Sequence, residues 1–195
     1  MKSLHVFIVL ALRANDAGRW FGTVALAVSL GACSHTVALQ PAAPIRSPTT
    51  PVLLGATVSI PPKTANHVHT VRSGLAGFAN TWDINVGEAI SDYSKAFFAN
   101  AITPGSDAVI QIDLLSFDVR DFEARCELNF TVQREGRDVF QKSYQGKGLG
   151  YAARVVWGGP FAMKSSMRKT TDEALRSIFG QFLQDVTMRK QQGLL

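Results

Sequence analysis

The chain has 195 residues, 46% of them hydrophobic, and a formal charge of +5 from 20 basic and 15 acidic side chains. Two cysteines are too few for a disulfide framework, and no block of five Lys/Arg residues marks a nucleic-acid surface. The composition is that of a globular chain with no nucleic-acid partner.

In chain order the first element is a targeting segment. A secretory signal needs a positive start, an apolar run of about 7–15 residues and small residues at the cut. Arg19 supplies the charge, residues 20–30 the apolar run, and Gly31 and Ala32 the small exit before Cys33. A membrane-spanning helix would need about 20 apolar residues, more than separate Arg19 from Cys33. A second apolar run, residues 4–12, lies upstream across a polar break that includes Arg13 and Asp16. A signal has one such run, so the native start is expected downstream of Met1.

Leu30-Gly31-Ala32-Cys33 resembles the bacterial lipoprotein box. The resemblance implies cleavage between Ala32 and Cys33, a diacylglycerol on the Cys33 thiol and a fatty acyl chain, such as palmitate, on its new amine. Ser34 follows, where enteric lipoproteins held at the inner membrane carry aspartate; this implies the outer membrane, facing the periplasm. Loss of residues 1–32 leaves 17 basic and 14 acidic side chains, a mild +3. Residues 33–51 carry Pro41, Pro44, Pro48 and Pro51 among Ser, Thr and Ala. They are expected to form an extended tether reaching up to about 50 Å from the bilayer, at ~3.1 Å per residue. Residues 52–195 are expected to be a single domain, long enough to bury about 68% of its unfolded surface.

Within that domain, residues 52–60 read as a strand with Val52, Leu54, Ala56, Val58 and Ile60 on one face, ended by Pro61-Pro62. Residues 63–82 are polar and read as irregular. Residues 86–102 have a helical period, with Ala89, Ile90, Tyr93, Phe97 and Ala101 on one stripe. Asn85 and Glu88 have the spacing of a capping box. A strand is predicted over 108–119. Another is predicted over 122–133, where Phe122, Ala124, Cys126, Leu128, Phe130 and Val132 alternate with polar residues. Glu135-Gly136 turns the chain into a third strand, 138–144. Residues 146–160 hold five glycines and read as a loop. Residues 164–188 form a long amphipathic helix, with Met167, Thr171, Ala174, Leu175, Ile178, Phe182, Leu183 and Val186 near one face. The predicted fold is α+β: a mostly antiparallel sheet in the order strand, helix, three strands, helix, with both helices on one face.

No motif names a reaction, and no catalytic residue, metal ligand or cofactor is assigned. His67 and His69 lack a third ligand and read as a solvent-exposed pair. Cys126, between Ala124 and Leu128 on the apolar face, reads as a small buried hydrophobe rather than a nucleophile. Asp113, Asp118, Asp121, Glu123 and Glu127 read as surface charges balanced by Arg120 and Arg125. Gly146-Lys147-Gly148-Leu149-Gly150 lacks the spacing of a phosphate loop and is expected to lead into no helix. Trp82, Tyr151, Trp157 and Phe161 form a candidate interaction surface, since rings beside glycine offer contact area at low entropic cost. The alternative is that they cap the core beneath the last helix.

Residues 52–190 look like the small bacterial YajG-type and transport-auxiliary lipoproteins. The likeness is carried by Ala108-Val109-Ile110-Gln111-Ile112, Phe117-Asp118-Val119, the alternating strand, Gly136, Lys142-Ser143-Tyr144 and the helix through Asp185. It implies an α+β periplasmic domain on the outer membrane with no cofactor and no catalysis. The reading is a non-enzymatic interaction or assembly module for envelope biogenesis or transport. It would be held to the membrane through lipid on Cys33 and would have an envelope protein as partner. The alternatives are a small-ligand or glycan binder, and a subunit of a homo-oligomeric ring.

Overall fold

The computed structural model describes residues 34–39, 53–73, 80–105, 107–150 and 152–194, with backbone alone at 34, 53–54, 73, 80 and 152–161. The fold is α+β. Among the described residues eight strands run β1 Ser34–Val37, β2 Leu53–Ser59, β3 His69–Ser73, β4 Asn80–Ile84, β5 Ile102–Pro104, β6 Ala108–Arg120, β7 Glu123–Arg134 and β8 Arg137–Lys147. Helix α1 spans Pro62–Ala65, α2 Val86–Phe98 and α3 Ala152–Gln191.

The strands make two sheets. The larger has the order β5-β2-β6-β7-β8, the smaller β1-β4-β3. The β6-β7-β8 meander is antiparallel, as its alternation predicts, whereas β2 lies parallel to both β5 and β6. Both meander turns are two residues long. Glu135 (φ 49) and Gly136 (φ 72) join β7 to β8; Asp121 (φ 52) and Phe122 (φ 62) join β6 to β7. Positive φ at both central residues gives the turn the twist of its flanking strands. Phe122 therefore belongs to a turn, and the alternating strand starts at Glu123.

Alternation on β6 changes phase. Ala108, Ile110 and Ile112 are buried on even numbers and Phe117 on an odd one. The register shifts between Leu114 and Ser116, and such a bulge adds one residue and turns the following side chains over. The amide of Leu114 donates to Thr64 Oγ1 of α1 at 2.9 Å, so the short helix seals the ladder where the bulge opens it.

The core lies between the large sheet and the two long helices. Helix α3 crosses β7 and β8, and α2 packs beside it. The α3 stripe is buried as predicted: Met167, Thr171, Ala174, Leu175, Ile178, Phe182, Leu183 and Val186 are each no more than 8% exposed. Phe182 stacks on Phe130 of β7 with centroids 4.3 Å apart, and Phe179 meets Tyr93, Phe97 and Phe98 of α2. The capping box at α2 takes a different form. Asn85 Nδ2 donates to Glu88 Oε2 at 3.2 Å, and the Asn85 side chain bonds no backbone amide of the helix.

Three regions depart from the sequence expectation. The described part of residues 63–82 is not irregular, because it holds α1, β3 and the start of β4. Their alternation is concealed by histidine. Val37, Trp82, Ile84, Val71, His35 and His69 share the inner face of the small sheet by register, and Thr36, Thr70, Arg72 and Asp83 share the outer one. The stretch expected as a tether begins with β1, whose Val37 is fully buried, so an extended spacer does not start at residue 34. The glycines of 146–160 do not form one loop either. β8 runs on to Lys147, and α3 begins at Ala152.

Candidate functional site

Cys33 and Ala32 lie outside the described residues. Ser34, the next residue after Cys33, already opens β1 and pairs in register with Thr81 of β4. The proposed lipid attachment point is therefore one peptide from a strand of the folded domain.

Of the candidate aromatic surface, the described side chains include Trp82 alone. Trp82 is 2% exposed, stacked on His35 with centroids 4.7 Å apart, and its indole N–H has no partner among the described residues. A ring on the inner face of β4 packs; it does not recruit. Tyr151 lies outside the described residues, and Trp157 and Phe161 fall on α3 where the backbone alone is described. The histidine expectation also changes. His67 and His69 are half-buried, not solvent-exposed. His69 stands edge-on to Phe117 with centroids 5.1 Å apart, and burial lowers its pKa against the pull of Asp118. Among the described residues no three His, Cys, Asp or Glu side chains come together as metal ligands would.

Cys126 is 2% exposed, and burial pushes its thiol up to about 12. The thiolate is the nucleophile, so this sulfur is inert near neutrality. The Gly146–Gly150 segment does lead into a helix, contrary to expectation, yet two of its amides are already occupied. Gly148 donates to the Ala124 carbonyl and Leu149 to Glu173 Oε2, each at 2.9 Å.

What the fold gathers on the wet face of the meander is a charge cluster. Register places Arg125 opposite Lys147 and Glu127 opposite Gln145. With Ser116, Cys126 and Gly146 they line an open cleft of about 520 Å³. Glu123 accepts from Arg125 and Lys147, each at 2.9 Å. Hydrogen bonds from Lys147 and then Arg125 hold its carboxyl below the usual range. Both cations of the cleft, Arg125 and Lys147, are thus paired with the Glu123 carboxylate. The signal for the cluster was Glu123, Arg125 and Glu127 at period two, which reads equally as an ordinary wet face.

A second polar cluster ties α3 to β8. Asp185 Oδ2 accepts from Lys142 Nζ at 2.6 Å and from Tyr144 Oη at 2.8 Å. Burial raises the Asp185 carboxyl, but hydrogen bonds from Lys142 and Tyr144, with Arg189 nearby, leave it below its usual value. A carboxyl lowered in the folded state stabilises above its unfolded pKa and loses that contribution as pH falls through the folded one. Asp185→Asn is therefore expected to destabilise by about 1 kcal/mol at neutral pH, since the Lys142 partner is largely exposed. In urea titrations the gap from the parent should close below about pH 4. A gap that stays constant down to pH 2 would contradict it.

No family model and no curated protein matches the sequence. Among solved structures, a Xanthomonas campestris protein of the DUF330 family is similar over 83% of this chain and 98% of its own, with TM-score 0.51 and 16% identity. At that identity the likeness is one of fold alone. A Caulobacter crescentus protein proposed to be a lipoprotein matches 54% of this chain and 83% of its own, with TM-score 0.41 and 9% identity. A hypothetical protein of Chlamydia trachomatis matches 70% of this chain and 98% of its own, with TM-score 0.36 and 11% identity. Among the described residues no helix is long and apolar enough to cross a membrane.

Proposed function

We propose that this chain is a lipoprotein of the bacterial outer membrane, a non-enzymatic periplasmic module that binds an envelope protein during assembly or transport. The observation that carries the reading is the Leu30-Gly31-Ala32-Cys33 box followed at once by a folded strand. Cleavage before Cys33 would remove only residues ahead of the described domain. The α+β fold shared with the DUF330 protein is compatible with it. Trp82, one of the four aromatic residues of the candidate interaction surface, is packed inside. That burial weighs against the ligand-binding alternative.

One acyl chain binds a bilayer marginally and two or more hold firmly. Cys33→Ala removes the acyl attachment point. In cells fed a palmitate analogue the parent is expected to be labelled and to sediment with outer-membrane vesicles. The variant should be unlabelled, uncleaved and absent from that fraction. Labelling of the variant, or processing of the parent anywhere but before Cys33, would refute the anchor.

A further inference from the structure

We infer that the β1-β4-β3 sheet is seated directly on the lipid surface, with the Ser34 end of β1 against the bilayer and Arg72 at the headgroups, an arrangement that rests on acylation of Cys33. Strand β1 begins one residue after that cysteine, and Ser34, Thr81 and Arg72 are consecutive partners across the sheet. Adjacent Cα atoms are 3.8 Å apart and adjacent strands about 4.8 Å apart, which puts the Cα of Thr81 within about 9 Å of the lipidated residue. An anchor that short leaves the domain no room to stand off.

The outer face of the sheet is graded to match. Arg72, exposed, stands at the Cys33 end. Asp83 lies two residues further along β4, opposite Thr70, whose hydroxyl donates to it at 2.7 Å. A cation thus faces the end where anionic headgroups would lie, and the carboxylate is set back. The other end of the same sheet is marked by Val68, 50% exposed, immediately before β3. It lies about 13 Å beyond Arg72 along the strand.

The two ends can be told apart by depth. The acylated full-length protein, carrying a fluorophore on Thr81→Cys or separately on Val68→Cys, is reconstituted into phosphatidylethanolamine and phosphatidylglycerol vesicles with spin-labelled headgroups. Cys126 is buried and stays unlabelled. Quenching at position 81 is expected to be about twofold that at 68, given the ~13 Å between the two levels. Insertion of about 12 Gly/Ser residues between Cys33 and Ser34, with a reach of about 20 Å, should abolish the difference. Equal quenching at the two positions, in protein whose N-terminal peptide carries its acyl mass, would overturn the seating and leave the anchor intact. An N-terminal peptide without acyl mass would overturn both.

Discussion

Phe182→Ala is expected to cost about 3–5 kcal/mol, the range for emptying a buried aromatic site. Phe182 is fully buried and is the ring on which three elements converge. It stacks on Phe130 of β7 at 4.3 Å, meets Phe98 of α2 at 5.7 Å, and reaches Phe140 and Tyr144 of β8 at 6.0 and 6.2 Å. Truncation removes the hydrophobic transfer energy of the ring and leaves a void that α3 cannot fill without sliding along β8. A domain of this size has about 5–15 kcal/mol in total, so the variant would sit near the edge of folding at growth temperature. Phe182→Leu, which keeps most of the volume, should cost about 1.5 kcal/mol. Urea unfolding of the two variants checks the ratio; equal losses would mean that volume at this site is not what matters.

Gly146→Val is expected to cost about 3 kcal/mol through the opposite fault, too much matter. Gly146 pairs with Cys126 inside β8, under the crossing of α3. A Cβ there would strike the carbonyl oxygen of Ala174 and come within 2.8 Å of Ile178 Cγ1. One residue past the strand, a Cβ on Gly148 would strike the carbonyl oxygen of Thr170, whose hydroxyl accepts the buried Ala124 amide at 2.9 Å. The two carbonyl obstacles are helix backbone, which cannot rotate away as a side chain would. Gly180→Ala is the control of opposite sign. Its Cβ would meet nothing within 4 Å on the exposed side of α3, and replacing a mid-helix glycine should stabilise by about 0.5–1 kcal/mol. Loss of stability in both variants would show that glycine flexibility, not close approach, is what the chain uses.

That crossing also explains where the sequence could be read and where it misled. β7 was legible because Ala124, Cys126, Leu128, Phe130 and Val132 face a core and their neighbours face water. The stripe of α3 was legible for the same reason at period 3.6. Glycine carries no such label. In Gly146 and Gly148 it serves a helix pressed against a strand, yet in one dimension it looks like the glycine of a loop. The small sheet was missed because its strands are only four or five residues long, and two of its inner-face positions are His35 and His69. Histidine on an inner face breaks the apolar alternation by which a short strand is recognised. Trp82 was misread on pairing rather than on composition. Trp82 is covered because β1, forty-odd residues upstream, lays His35 over it, and no local pattern announces a partner that distant. The charge cluster around Glu123 needed β8 to bring Lys147 across from Arg125, which again only the register reveals.

The parallel pairings have a consequence in time. The β6-β7-β8 meander closes through two tight turns, so its contacts are local and can form early. β2 pairs Ala56 with Ala108, and β1 pairs Ser34 with Thr81. Each must wait for chain far downstream, and loop-closure entropy delays such contacts. The N-terminal strands are therefore the last to settle. For the exported lipoprotein proposed above, that order would suit threading through a channel from the N-terminus, because the N-terminal strands would pair only after the chain downstream had followed.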